Sequence, residues 1–200
     1  MRNLFISFSF VFLTLVGCSP RDSSFILDSF EGEVNSSTVD FGSSRGSSVE
    51  VEAEKDIVKC GNQALKITYN LKHSGYMWVA RGYGLDVEGA AAWSAAPKDI
   101  EWAKYNTISF YMYGTASGTV IAFDVKDRDG ELWRFLVDDD FSGWKEIVCP
   151  FSQFFPRSDW QPDGASLNEE LDFPLMSFQF EPRMPGENYL LIDCVSLKNK

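Results

Sequence analysis

The feature that most constrains this chain is a train of short strand-like segments with almost no helical period between them. Ser48–Glu54 (SVEVEAE) and Ala64–Leu71 (ALKITYNL) alternate with period two. Thr107–Tyr113, Thr119–Lys126, Leu132–Val137, Lys145–Pro150, Leu175–Glu181 and Tyr189–Leu197 are short, β-branched or aromatic, and bounded by Gly, Asn, Asp or Pro. Asp129-Gly130 is a hairpin turn signal. Asp99–Lys104 alone reads as a short helix. Many short strands at near-regular spacing predict an all-β fold, an antiparallel β-sandwich. Gly84–Pro97 (GLDVEGAAAWSAAP) lacks a strand pattern and reads as a long loop, a kind of segment that often carries function in a sandwich.

Residues 1–17 (MRNLFISFSFVFLTLVG) place Arg2 before an apolar run from Leu4 to Val16. That pattern is a secretory signal, short for a membrane span. Leu15-Val16-Gly17-Cys18 resembles the bacterial lipobox, whose Cys is lipidated and begins the mature chain. Cys18 is therefore the expected lipidation site, and acyl chains there anchor a protein to a membrane. Ser19 after that Cys favours the outer membrane of a bacterial envelope. The expected organisation is a lipoprotein signal peptide at 1–17, a lipidated Cys and tether at 18–25, and one β-sandwich domain at 26–200.

Charge excludes more than it assigns. With 18 Lys+Arg against 29 Asp+Glu, a net charge of −11, the chain has no basic stripe for nucleic acid. A single His leaves a zinc hydrolase or a His-based triad short of residues. The unusual quantity is aromatic: 17 Phe, 7 Tyr and 6 Trp imply either a heavily aromatic core or rings used for binding. Trp160 sits in the polar loop SDWQPDG, where a surface stacking role is expected. Trp78, Trp102, Trp133 and Trp144 lie in or beside strand patterns and are expected in the core. Tyr76 fits core or cleft equally, and Trp93 fits a ligand contact or a lid over the sandwich end. Asp138-Asp139-Asp140 reads as a solvated turn rather than a cation site. Cys60, Cys149 and Cys194 fit either one disulfide with a spare thiol or three buried small hydrophobes.

One further pattern spans nearly all of residues 26–198. WKEIVCPFSQFFPRSDWQPDG at Trp144–Gly164, with LDSFEG at Leu27–Gly32, Gly75-Tyr76, EWAKYNTISF at Glu101–Phe110, DGELW at Asp129–Trp133 and LLIDCVSL at Leu190–Leu197, resembles carbohydrate-binding module family 11. The resemblance implies a jelly roll of the galactose-binding-like type that binds mixed-linkage β-1,3-1,4-glucan or cellulose-type chains in a cleft. It places glucan-contacting aromatics on Tyr76 and Trp160, and polar contacts on Asp129, Arg157 and Asp159. The chemistry suits a sugar: flat rings stack on the apolar pyranose face, while carboxylates and an Arg fork bond the hydroxyls. Arg157 and Asp159, two apart, point the same way if their segment is extended.

The resemblance also implies a structural Ca2+ between the first and last strands, on Asp28, Glu31 and Asp193 beside the Lys59–Asn62 turn. The alternative is that Asp28 and Asp193 merely cap strand ends. It further implies a Cys60–Cys194 disulfide, although Cys194 points away from Asp193 in a regular strand. The chain departs from the family pattern at Pro182, where a cleft aromatic is expected, and at Met176, where an Asp is expected. Phe41 stands near the position of another family aromatic. A lipid-anchored, monomeric, non-catalytic β-glucan binder is the expectation. The alternatives are a protein-interaction module of the complex I intermediate-associated type and, less so, a glycoside hydrolase using Asp129 and Asp159.

Overall fold

The structure, a computed structural model, describes residues 24–200. Cys18, the signal peptide and residues 18–23 of the tether lie outside the described residues. The strands are β1 (Ser24–Asp28), β2 (Asp40–Ser44), β3 (Ser48–Glu54), β4 (Ala64–Leu71), β5 (Tyr76–Gly82), β6 (Thr107–Thr115), β7 (Val120–Lys126), β8 (Leu132–Asp138), β9 (Ser142–Pro150), β10 (Phe155–Pro156), β11 (Ser177–Pro182) and β12 (Gly186–Lys198). They form an all-β antiparallel sandwich of two six-stranded sheets. The back sheet runs β3-β4-β12-β6-β9, with β1 also paired to β12, and the front sheet runs β10-β8-β7-β11-β5-β2. Ser24 and Phe25, expected in the tether, are already part of β1, because they pair with Lys198 and Leu197.

The inner faces supply an aromatic core. Phe110, Phe123, Phe178 and Phe180 are buried between the sheets, with Phe110 and Phe123 ring centroids 4.7 Å apart and Phe123 and Phe180 5.1 Å apart. Trp93 lies parallel to Phe178 at 5.8 Å, so the Gly84–Pro97 loop folds back as a lid on the core. Trp102 and Trp133 are buried as expected. Trp78 and Trp144 correct the expectation: both occupy outward positions of their strands and are only half-buried, Trp144 against Tyr113 on the back sheet. The alternation places them there, since their neighbours Met77, Val79 and Ile147 take the inward positions.

Two local expectations also change. Asp99–Lys104 is not one helix but parts of two 3-10 turns, Pro97–Asp99 and Trp102–Lys104. Burial of Ile100 and Trp102 breaks the helical path, and the Trp102 indole N–H donates to the Pro97 carbonyl at 2.8 Å. Asp139 is not solvated, although Asp138 and Asp140 are exposed. It is buried and accepts hydrogen bonds from the Thr115 N–H (3.0 Å), the Ser117 N–H (3.2 Å) and the Ser117 hydroxyl (2.6 Å), pinning the β6–β7 connection.

Candidate functional site

The outer face of the front sheet carries a cleft of about 630 Å³ lined by Tyr76, Trp78, Arg157, Asp159, Trp160, Gln179, Glu181, Pro182 and Arg183, among others. Strand register builds its floor. Phe155, Arg134, Asp124, Gln179, Ala80 and Asp40 stand in one row across β10, β8, β7, β11, β5 and β2. Arg134, Asp124 and Glu181 are buried in that floor. Unpaired charges would be prohibitively costly there, and each is paired. Arg134 donates to both Asp124 oxygens at 2.7 and 2.9 Å and to Glu181 at 2.9 Å. Arg157 bridges Asp124 at 3.2 Å, Glu181 at 3.1 Å and Asp159 at 2.7 Å. Arg183 closes the lattice on Asp159 at 2.8 Å and on Glu181.

The lattice therefore sets three arginines against three carboxylates. Burial alone would raise Asp159, but Arg157, Arg134 and Arg183 together hold its carboxyl well below the usual range. At Glu181 burial outweighs the arginines and the carboxyl is raised. The result is a rigid, nearly neutral hydrogen-bonding surface in an otherwise acidic molecule.

The β10 connection delivers the ligand-facing side chains. Gln161 clamps it, accepting from the Leu132 N–H at 2.7 Å and donating to the Leu132 and Arg157 carbonyls at 3.0 and 2.8 Å. Trp160 is thereby left 56% exposed, with the Arg157 guanidinium 5.5 Å from its ring. Tyr76, 47% exposed at the start of β5, faces the same cleft. Such exposure of large rings inside a polar concavity is what a ligand with an apolar face would use.

Four of the five expected contact residues, Tyr76, Arg157, Asp159 and Trp160, are brought together here. Asp129 is not. It sits at the tip of the β7–β8 hairpin, held by Arg128 at 3.1 Å, and does not line the cleft. The carboxylate that reaches Arg157 from that hairpin is Asp124. Met176 stays outside the cleft, and Phe41 packs against the core. Asp124, Arg134, Gln179, Glu181 and Trp78 were not singled out in the sequence as site residues. The available signal was charge inside apolar strands, as in VIAFDVK and LWRFLVD.

The expected cation ligands take different hydrogen-bond partners. Asp28 is buried against Arg81, which donates to its two oxygens at 2.9 and 3.2 Å, so Asp28 is a partner of a guanidinium and does not fit a metal. Glu31 accepts from the Asn62 N–H at 2.7 Å and its side-chain amide at 2.9 Å. Asp193 accepts from the Lys59 and Cys60 N–H groups at 3.0 and 2.8 Å, while its other oxygen is buried with no hydrogen-bond partner. Asp193 and Glu31 thus both address the Lys59–Asn62 turn. Burial, and secondarily the Glu31 charge, raise the Asp193 carboxyl even though the turn N–H groups lower it. Cys60 and Cys194 are joined as a disulfide with Cα atoms 6.3 Å apart. A bulge between Asp193 and Ser196, with Cys194 at φ 50°, turns that thiol to the side of its neighbour Asp193. Cys149 remains free and buried, and burial pushes its thiol up.

A family model described as "Carbohydrate binding domain (family 11)" matches residues 17–183. Endoglucanase H of Acetivibrio thermocellus is 30% identical over 154 residues, 74% of this chain but 15% of that protein. A mannan endo-1,4-beta-mannosidase of Bifidobacterium adolescentis is 24% identical over 56% of this chain and 10% of its own length. The chain thus spans a small fraction of the curated relatives it matches. Among solved structures, a family 11 carbohydrate-binding module from Clostridium thermocellum in complex with a beta-1,3-1,4-mixed-linked tetrasaccharide superposes with a TM-score of 0.68. That match is at 24% identity and covers 90% of this chain and 98% of that one.

Proposed function

The chain belongs to the family 11 carbohydrate-binding domains, and from that premise we propose that its cleft binds β-glucan, of mixed β-1,3-1,4 linkage or cellulose type, without chemistry. The observation that carries this reading is the pairing of exposed Trp160 and Tyr76 around a floor of fixed hydrogen-bonding groups. The rings take the apolar faces of the sugars. Asp159, Arg157 and Gln179 offer acceptors and donors to the hydroxyls, and the lattice beneath fixes their geometry before ligand arrives, which lowers the ordering cost of binding. A glycosidase needs one carboxyl held protonated to deliver a proton. Asp159 is held ionised by three arginines, and Asp129 lies away from the cleft, so the pair does not serve as acid and nucleophile. A protein-docking role would favour a flat apolar patch, whereas the exposed rings here rim a polar concavity.

The proposal extends to place and cofactor. Cys18, lipidated, tethers the domain as a monomer to a bacterial envelope, at the outer membrane, where it holds polysaccharide near the cell. A Ca2+ ion would be held by Asp193 and Glu31 with carbonyls of the Lys59–Asn62 turn, Asp28 being committed to Arg81. Such an ion supplies a cross-brace, not reactivity. The decisive experiment on the cleft is Trp160→Ala. It is expected to weaken glucan binding by about 1–3 kcal/mol with the melting temperature preserved. Affinity electrophoresis in barley glucan and a thermal melt read the two quantities, and unchanged retardation would remove Trp160 from the site.

A further inference from the structure

Trp78 is the one tryptophan on the front sheet's outer face that belongs to a strand. It stands two residues after Tyr76 on β5, so both rings project to the cleft side. Their centroids are 6.1 Å apart and their planes differ by 27°. Directly across the pairing, on edge strand β2, is Gly42. The indole lies against it so closely that a Cβ at position 42 would stand 2.4 Å from the ring. Gly42 has no φ requirement for glycine, so the space for the indole is what the missing side chain provides. The ring is held at its edge as well. Its N–H donates to Asp40 Oδ1 at 3.2 Å, and the other Asp40 oxygen accepts from the Asp86 N–H at 3.1 Å. A ring laid over glycine and fixed through its edge keeps its outward face for something else. On the neighbouring strand, beyond Glu181, Pro182 offers no aromatic ring.

We propose that Trp78, seated on Gly42 and oriented by Asp40, stacks a sugar ring of its own beside Tyr76, so that the bound chain runs from Trp160 over β11 and β5 to edge strand β2. The inference rests on the glucan reading of the cleft and assigns it a further subsite. Two near-parallel rings, one after the other along β5, suit two successive pyranoses of an extended chain, and they make affinity grow with oligosaccharide length. Trp78 is then a length-determining residue.

The test is a length series of β-glucan oligosaccharides, and barley glucan, titrated calorimetrically against the wild-type chain, Trp78→Ala, Gly42→Ala and Trp160→Ala, with near-ultraviolet circular dichroism for each. Trp78→Ala is expected to lose about tenfold in affinity for the longest ligands and little for the shortest, flattening the length dependence. Gly42→Ala keeps the indole but displaces it, and is expected to give the same flattening with the fold intact. It decides the matter if Trp78→Ala does not fold. Retention of the full length dependence in folded Trp78→Ala or Gly42→Ala, while Trp160→Ala loses affinity, would overturn the Trp78 subsite and leave the cleft reading standing. No binding of any glucan by the wild-type chain would overturn both.

Discussion

Asp159 shows how one side chain can be both exposed enough to meet a ligand and electrostatically fixed. It is 40% exposed, yet it touches three arginines. Its lowered carboxyl means that the folded state holds the proton less tightly than the unfolded chain does. The stabilisation is therefore complete above the unfolded value near 4 and is lost as pH falls towards the folded one. Asp159→Asn is expected to lower the melting temperature at pH 7, with the gap to wild type shrinking below about pH 4. A gap constant with pH would mean that the arginines do not act on this group. Solvent screening limits the effect to a modest one. The residues of the site were unevenly legible. Trp160, Arg157 and Asp159 stood out because they sit in a polar loop. Asp124 and Glu181 look in sequence like flaws in apolar strands, and only the strand register reveals the arginines that pair with them.

At the scale of elements, β3 and β4 have the bounds that alternation predicts, because each has one wet face and one dry face. β2 (DFGSS) was not legible, since an edge strand with a glycine for Trp78 to cover has little hydrophobic signature of its own. β10 has two residues and owes its existence to β8. The bulge in β12 was equally hidden: nothing in LLIDCVSL requires Cys194 to turn left-handed, as it does at φ 50°. The Cys60–Cys194 link spans 134 residues of sequence. In the chain-entropy account, closing a loop of that order stabilises by about 4–5 kcal/mol. Cys60→Ser is accordingly expected to shift the urea midpoint well down without changing the cleft, which lies on the other sheet. An unchanged midpoint would show that the bridge does not form or does not restrain the unfolded chain.

Across the whole molecule, a net charge of −11 coexists with a cleft whose charges are paired with one another. A neutral glucan meets charges already paired with one another, so its affinity is expected to change little when salt is raised from about 0.05 to about 0.5 M. A tenfold loss over that range, measured by calorimetry, would show that the charges of the cleft are not neutralised by one another. EDTA is expected to lower the melting temperature, with excess Ca2+ restoring it, because an ion bound only by the folded state stabilises by mass action. No shift in either direction would remove the ion from Asp193 and Glu31. The pairing of β1 with the end of β12 has a mechanical meaning as well. Ser24 lies opposite Lys198 and Asp28 opposite Val195, so a pull on the chain at Ser24 loads β12 at its far end and works along the β1 hydrogen bonds towards the bulge. There the Cys60–Cys194 bridge rivets β12 to the turn beside β4. A domain dragged by its leading end, with polymer gripped on the opposite face, would yield first at the short β1 zipper; β2, the edge strand of the front sheet, and β3 come next along the chain, and the rip would stop at the covalent bond at Cys60, before β4 and the strands that follow it.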